Sequence, residues 1–211
     1  MNVIKLFVTL LVFVALGINN SFGQSIKLSA KGGLNVSNTR FSVVVDGSTS
    51  YREYDNRASF YLGGSLEFLL LSKNNFNLLM QLELLYSREG TTLFHPALDY
   101  RNTFELDQVK LPILLKMELS NKLYLLGGGY IGDVILARDD ISGGKKFKRD
   151  GYNNFDIGLI IGMEYHYKYG IFIESRYNLG LADVSSVAYP ASFIEHNYKN
   201  RLFQLGIGYR F

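Results

Sequence analysis

The sequence of 211 residues contains no cysteine and only three prolines, and its formal net charge is just +3. Without cysteine, neither a disulfide framework nor a lipoprotein anchor is possible. The small charge excess argues against a nucleic-acid partner, because proteins that bind nucleic acids carry a basic patch or stripe. What the sequence does contain is 21 glycines, 15 tyrosines and 15 phenylalanines. Abundant aromatic residues with scarce proline are typical of a chain with many paired strands.

The N-terminus has the three parts of a secretory signal peptide. Lys5 supplies the positive charge, residues 6–16 form an apolar run, and Ser21 and Gly23 are small residues at the end of the segment. This order of features predicts a signal peptide at residues 1–23, cleaved before Gln24.

A retained membrane helix is the alternative interpretation of the N-terminus. It would need roughly 20 apolar residues, and Asn19 and Asn20 end the apolar run early. No later stretch is apolar for long enough to form a membrane helix. The predicted mature chain, residues 24–211, is therefore a single domain that can enter a membrane only as a barrel.

Alternation of apolar and polar residues is the main signal of the mature sequence. In residues 26–37, even positions are apolar or glycine and odd positions are polar or glycine. Successive side chains of a strand point to opposite faces, so this segment has one apolar and one polar face. In residues 123–137 both parities are largely apolar, and the faces cannot be assigned. Strands long enough to cross a bilayer at a tilt are predicted at residues 26–37, 58–68, 78–89, 109–118, 123–137, 155–167, 171–181 and 203–211.

The connections between these strands alternate between long and short. The short ones are residues 72–75, 120–121 and 168–169, and the long ones are residues 38–56, 91–102, 138–152 and 182–200. Outer-membrane barrels show this pattern, with short periplasmic turns and long extracellular loops. The predicted fold class is therefore all-β, an eight-stranded antiparallel up-and-down transmembrane β-barrel in the cell outer membrane. An even number of strands predicts that both termini are periplasmic.

A water-soluble barrel of the lipocalin kind would alternate in the same way, with its apolar face inside. Three features favour the membrane. Opposite charges on the polar faces can neutralise one another inside an eight-stranded barrel, which side chains just fill. The last strand ends on an aromatic residue, Phe211. Aromatic residues near other strand ends predict an interfacial girdle, made of Phe68, Tyr86, Phe155, Tyr165, Tyr167 and Tyr209.

Several stretches of the sequence resemble the PorT-like outer-membrane β-barrel family. They are KGGLNVS at residues 31–37, ELLYSREG at 83–90, KLPILLK at 110–116, FDIGLIIG at 155–162, ESRYNLGL at 174–181 and QLGIGYRF at 204–211. The resemblance implies an outer-membrane barrel and leaves the function open, because the roles of that family are diverse and mostly unassigned. Phe211 resembles the terminal aromatic residue that the barrel-insertion machinery reads. Pro112 lies inside a predicted strand, where a local bulge or irregularity is expected because proline cannot donate a hydrogen bond.

The predicted inward faces carry several carboxylates, which raises the question of catalysis. These are Glu67, Glu83, Glu89, Glu164, Glu174 and Asp156. Acid–base catalysis would need two carboxylates beside a substrate cleft, whereas charges inside a filled barrel must be paired. We favour the second interpretation and predict no enzyme, and no Gly-x-Ser-x-Gly elbow is present. The predicted network of structural charges in the lumen consists of Glu83, Lys110, Lys116, Asp156, Glu164, Glu174, Arg176 and Arg210.

Neither a metal site nor a cofactor site is predicted. His95, His166 and His196 are far apart in sequence, and none of them has a partner at metal-ligand spacing. The glycines of residues 142–151 are not followed by a helical pattern, so they do not form a phosphate-binding loop.

A basic cluster within residues 142–151 is the sharpest candidate for a contact outside the barrel. In an outer loop its members, Lys145, Lys146, Lys148 and Arg149, could meet lipopolysaccharide phosphates or an acidic partner. A solvated hairpin tip is the alternative. Aromatic residues of the other loops either form an adhesive surface or pack between loops, and they are Tyr51, Tyr54, Phe94, Tyr100, Tyr189 and Phe193.

The sequence therefore predicts a structural or interaction protein that acts through its extracellular loops. A narrow porin-like channel for small solutes is one alternative. An accessory role in outer-membrane protein secretion, implied by the PorT-like resemblance, is another. The expected partners are outer-membrane lipid and lipopolysaccharide, the barrel-insertion machinery, and an unidentified extracellular or envelope partner. Nucleic acid is not expected as a partner, and the protein is expected to be a monomer.

Overall fold

The computed structural model describes residues 26–45, 48–53, 56–73, 76–95, 100–139, 146–147, 155–181 and 194–211. The predicted signal peptide, residues 1–23, lies outside these ranges. Within them, no helix is both long and apolar enough to span a membrane.

Nearly all of the described residues are in strands. The strands are β1 (Lys27–Val45), β2 (Ser48–Glu53), β3 (Arg57–Lys73), β4 (Phe76–His95), β5 (Tyr100–Ser120), β6 (Leu123–Asp139), β7 (Lys146–Phe147), β8 (Phe155–His166), β9 (Ile171–Gly180) and β10 (Ile194–Arg210). A short 3-10 turn, Lys168–Gly170, joins β8 to β9.

Eight of these strands form a closed barrel. They pair in the order β10, β9, β8, β6, β5, β4, β3, β1, and β1 pairs with β10 to complete the wall. Every pairing is antiparallel. The two remaining strands pair beside the barrel strands, β2 with β1 and β7 with β6. The predicted eight-stranded up-and-down barrel is confirmed.

Both described chain ends lie at the same end of the barrel, which we call the terminal end; the opposite end is the far end. Phe211 donates its backbone N–H to the carbonyl of Leu28 over 2.9 Å, so the last residue is tied to the beginning of β1. The turn at Asn121–Lys122 and the turn between β8 and β9 lie at the terminal end as well.

The strands are longer at the far end than the sequence predicts. Residues 38–45, predicted as loop, continue β1 and pair with residues 194–201 of β10, and residues 91–95 pair with residues 100–104. The loop assignment of these residues is wrong. Alternation reveals a strand only where one of its two faces is apolar and the other polar. The backbone hydrogen bonds between strands do not need this difference, so the ladder continues beyond the alternating residues.

Pro112 interrupts one ladder without forming a bulge. It stays in register with Tyr130 of β6, while the pairing of β5 with β4 skips residues 111 and 112 and resumes in the same register. The missing N–H of proline explains a gap of this kind. The predicted irregularity is confirmed, as a gap in the ladder and not as a bulge. The register shifts of β5 fall at Asp107/Gln108 and Glu118/Ser120.

The apolar face of the wall points outward. Leu34, Ile161 and Ile207 are 60–62% exposed, whereas Glu83 and Arg176 are at most 2% exposed. A soluble barrel has the opposite arrangement. An apolar exterior around a charged interior is stable only where the surroundings of the wall are themselves apolar, as they are in a bilayer.

The structure also assigns the faces of β6, which the sequence left open. Leu126, Tyr130 and Val134 point into the lumen and are buried, while Ile135 is exposed outside. Three inward residues of β6 belong to two small apolar clusters inside the barrel, Leu106–Val134–Ala137 and Leu114–Tyr130–Ile160. Because this strand is apolar on both faces, it shows no alternation.

Aromatic side chains mark both borders of the apolar exterior. At the terminal end, the rings of Tyr165 and Tyr167 lie 4.9 Å apart and those of Tyr209 and Phe211 lie 5.1 Å apart. Phe155 lies at the far end of the same strand as Tyr165. At a rise of roughly 3.3 Å per residue and a tilt near 45°, this strand spans about 25 Å of membrane.

Phe68 and Tyr86 differ from the other predicted girdle residues. Phe68 is only 9% exposed, so it is covered by protein, and its place in an exposed girdle is wrong. Tyr86 is partly exposed and packs against Phe60, with 6.0 Å between the ring centroids.

Glycines make room for aromatic rings that cross the lumen. Tyr61 on β3, Gly33 on β1, Gly206 on β10 and Glu174 on β9 form one row across the wall. The Tyr61 ring lies over this row, and its hydroxyl donates to Glu174 Oε1 over 2.5 Å. A Cβ atom on Gly206 would lie 1.9 Å from the Tyr61 hydroxyl oxygen. The glycine is therefore required by the ring.

Replacing Gly206 with alanine is expected to displace Tyr61 and to lower the free energy of unfolding by about 1–3 kcal/mol, the usual cost of overpacking. A Cβ atom on Gly127 would meet no atom within 4 Å. Gly127→Ala is therefore the matched control, with an expected change below about 0.5 kcal/mol. The free energy of unfolding of each variant is measured by urea titration in lipid, with the heat-dependent shift in gel mobility as the measure of the folded fraction. Equal stability of the two variants would contradict the role of Gly206.

Candidate functional site

The lumen contains the predicted charges. Seven of them, all except Arg210, are buried inside the barrel. Arg210 lies at the terminal rim, where its side chain is 24% exposed and its Nη1 atom is 4.0 Å from Glu67 Oε2. The charges come from β4, β5, β8, β9 and β10, and they form three groups along the barrel axis.

The central group surrounds Glu83. Lys31 Nζ donates to Glu83 Oε1 over 2.6 Å, and Arg176 Nη1 donates to Glu83 Oε2 over 2.8 Å. Arg176 also donates to Glu174, which accepts from Lys31 and Tyr61 as well. The side chains of Lys31, Glu83, Glu174 and Arg176 have no exposed surface. Two cations and two carboxylates thus neutralise each other at the middle of the lumen.

A second group lies toward the terminal end, around Lys116. Its Nζ atom donates to Glu67 Oε1 over 2.8 Å and also to Glu164, and it lies 3.2 Å from His166 Nε2. Gln81 connects this group to the central one, since its Nε2 atom is 2.6 Å from Glu83 Oε1 and 3.3 Å from Glu164 Oε1. Polar contacts therefore run without a break from the middle of the lumen toward the terminal end.

The third group lies toward the far end. Lys110 Nζ is 2.5 Å from Glu89 and 3.8 Å from Asp156, and it lies 4.4 Å from the centre of the Tyr130 ring. The Tyr130 hydroxyl donates to Asp156 over 3.1 Å. A cation held by two carboxylates and an aromatic face is well compensated inside a barrel.

Uncharged side chains fill the lumen beside the third group. Gln204 Nε2 donates to Asn35 Oδ1 over 2.8 Å, and Asn178 Nδ2 donates to Gln204 Oε1 over 2.7 Å. Asn35 in turn donates to Ser87 Oγ over 3.0 Å. These hydrogen bonds join β9, β10, β1 and β4 across the barrel, so the part of the lumen toward the far end is occupied by side chains as well.

Each carboxylate of the central group and of the group around Lys116 has a cation as its partner. This is the arrangement of a structural network. Within the described residues, no group of three or more His, Asp or Glu side chains can hold a metal ion. These residues therefore give no positive sign of catalysis. Of the three histidines, His166 lies in the lumen beside Lys116; the side chains of His95 and His196 lie outside the described part of the chain.

Lys31 and Tyr61 are central members of the network that the sequence prediction did not include. Both have the parity of the inward residues on their strands. Lys31 is odd-numbered, whereas the outward residues Leu34 and Val36 of β1 are even-numbered, and Tyr61 has the same parity as the buried Glu67 on β3. Parity could therefore have identified them. A partner on another strand could not be read from parity.

The basic loop cluster cannot be placed in the same way. Lys145, Lys148 and Arg149 lie outside the described residues, and of Lys146 only the backbone is described, in β7. The loop aromatics Tyr54, Tyr189 and Phe193 also lie outside the described ranges, as do the side chains of Tyr51, Phe94 and Tyr100.

Glu83 provides the test of the charge network. Glu83→Gln keeps the size of the side chain but leaves Lys31 and Arg176 facing a neutral group, so the free energy of unfolding should fall by about 3–5 kcal/mol. Glu118, near the terminal end and bonded to Asn77, is the matched control: Glu118→Gln should change it by less than about 1 kcal/mol. Urea unfolding in lipid measures both variants. A loss at Glu83 no larger than at Glu118 would refute the network's structural role.

Comparison with known proteins agrees with this architecture. Residues 21–186 match the family model described as "Outer membrane protein beta-barrel domain", which is more than three quarters of the chain. Among curated proteins, no sequence match reaches significance.

Solved structures with a similar fold are outer-membrane proteins. Neisserial surface protein A is 12% identical with a TM-score of 0.50, and the alignment covers 90% of this chain and 100% of that one. The attachment invasion locus protein Ail of Yersinia pestis is 13% identical with a TM-score of 0.41, covering 86% and 99%. The outer membrane protease OmpT of Escherichia coli is 10% identical with a TM-score of 0.43, covering 91% and 99%. At such identities, the similarity to the neisserial protein shows the fold alone.

Proposed function

Since this chain belongs to the family of outer membrane protein beta-barrel domains, we propose that it is an integral outer-membrane protein with a structural or interaction role carried by its far-end loops. The observation that supports this proposal is the filled lumen. Tyr61, Arg176 and Lys116 reach across the barrel to partners on other strands. A barrel closed in this way leaves its loops and its outer wall for contacts with other molecules.

We propose further that the termini face the periplasm and that the far-end loops are extracellular. Short connections at the terminal end, such as the Asn121–Lys122 turn, support this orientation, because outer-membrane barrels have their short turns on the periplasmic side. The exposed ring of Phe211, 71% accessible at the end of the last strand, is available to the barrel-insertion machinery. The protein is proposed to act as a monomer.

The narrow channel is the function that the lumen supports least. In planar bilayers the protein is expected to show no large, long-lived openings, because the charges and aromatic rings inside the barrel occupy its cross-section. The heat-dependent gel shift of the same preparation verifies that the inserted protein is folded. Frequent long openings of a folded sample would replace the proposed role with that of a channel.

The loop cluster is tested by replacing Lys145, Lys146, Lys148 and Arg149 with glutamine. We expect the folded protein to remain in the outer membrane and its binding to cells or to isolated lipopolysaccharide to weaken, since phosphates attract basic side chains. Unchanged binding, together with unchanged resistance of the envelope to detergent, would rule out this cluster as the contact.

Accessory participation in protein secretion is the alternative that the PorT-like motifs support. Deletion of the gene, followed by measurement of secreted proteins, distinguishes it from the proposed role. Secretion that continues at the normal level would exclude this alternative.

A further inference from the structure

A chain of ion pairs runs across four strands near the far end of the barrel. Arg88 Nε donates to Asp107 Oδ1 over 2.8 Å, and Arg138 lies 3.1 Å from Asp107 and 3.0 Å from Glu105. Arg57 Nη2 donates to Glu105 Oε1 over 2.5 Å. The order Arg88–Asp107–Arg138–Glu105–Arg57 alternates in sign and begins and ends with arginine. We call these five residues the arginine chain.

Arg88 places one end of the arginine chain at the border of the apolar exterior. Arg57, at the other end, pairs with the buried Ser37 of β1 and has the inward parity of β3. The neighbours of Arg88 on β4, Ser87 and Glu89, point into the lumen and have no exposed surface, so Arg88 points outward. Its guanidinium group lies 5.3 Å from the ring centre of Phe60, which is 40% exposed on the outer wall. Tyr86 lies beside both residues. Aromatic side chains of this kind sit at the level of lipid headgroups.

The two ends of the chain have hydrogen-bonding capacity left. Arg88 contacts Asp107 and, over 3.4 Å, the Tyr86 hydroxyl; Arg57 contacts Glu105 and, over 3.5 Å, the Glu89 carbonyl. Within the described residues, each of these terminal guanidinium groups therefore pairs with one carboxylate, although a guanidinium has five donors. Their side chains are 28% and 17% exposed. The carboxylates hold the guanidinium groups in place without covering them.

At headgroup level, phosphate is the main anionic group that a membrane offers to a guanidinium. Its planar fork matches two phosphate oxygens, and the hydrogen bonds formed are charge-assisted. We propose that the arginine chain binds the phosphate groups of lipid headgroups through Arg88. This site lies on the barrel wall, so it goes beyond the loop-mediated role and would remain if the loops had no partner.

The test compares two variants of the full-length mature protein, purified in a neutral detergent. Arg88→Gln removes the outward end of the arginine chain. Lys122→Gln removes the same charge from an exposed residue at the terminal end and is the matched control. Each protein is titrated with phosphatidylglycerol, and the midpoint of thermal unfolding is followed by gel mobility. We expect the half-saturating lipid concentration to rise about tenfold in the arginine variant and to stay unchanged in the control.

Equal weakening in both variants would overturn the proposal, because lipid binding would then depend on net charge alone. Inorganic phosphate is the second probe, and stabilisation by phosphate equal to that by lipid would overturn the assignment to a headgroup. Arg88→Lys keeps the charge and removes the planar guanidinium fork, so it covers the case in which Arg88→Gln fails to fold. It should bind the lipid more weakly than the unaltered protein, and unaltered binding would count against the site.

Discussion

A charge inside an eight-stranded barrel has little water to solvate it, so it must meet an opposite charge on another strand. Glu83 on β4 is held by Lys31 on β1 and Arg176 on β9, and the rest of the structure depends on this contact. It joins strands that are not neighbours in the wall. It also sets their register, since a slip of one residue would turn these side chains toward the lipid.

The outer wall and the lumen follow from the same constraint. Outward side chains such as Leu34 and Ile207 are apolar, and the charges at their level of the barrel lie on inward side chains such as Lys31 and Glu174. The aromatic rings that complete the filling need space as well as partners. Tyr61 reaches Glu174 only because Gly33 and Gly206 lie beneath it. Small residues in the wall and large residues in the lumen are therefore parts of one arrangement, and the filled lumen moves any specific function to the outside.

Much of the fold could be predicted from the sequence, because strand direction and face are local properties. The limits were also local. Residues 38–45 lack a regular alternation, so their continuation of β1 was missed. The faces of β6 stayed unassigned because Leu126 and Tyr130 make its inward side apolar. Seven predicted charges lie in the lumen as expected from parity, but the third member of the Glu83 contact, Lys31, was not among them.

By itself, the sequence determined the number of strands, their antiparallel order and the separation of charged from apolar faces. A period of two residues is a property of each strand alone. Only the tertiary structure decided which charges meet and which face of β6 is inside. Lys31 and Glu174 are 143 positions apart, and Arg57 and Glu105 are 48 apart. Closing the wall between β1 and β10 brings the first pair together across the lumen, and the pairing of β3, β4 and β5 brings the second together near the far end.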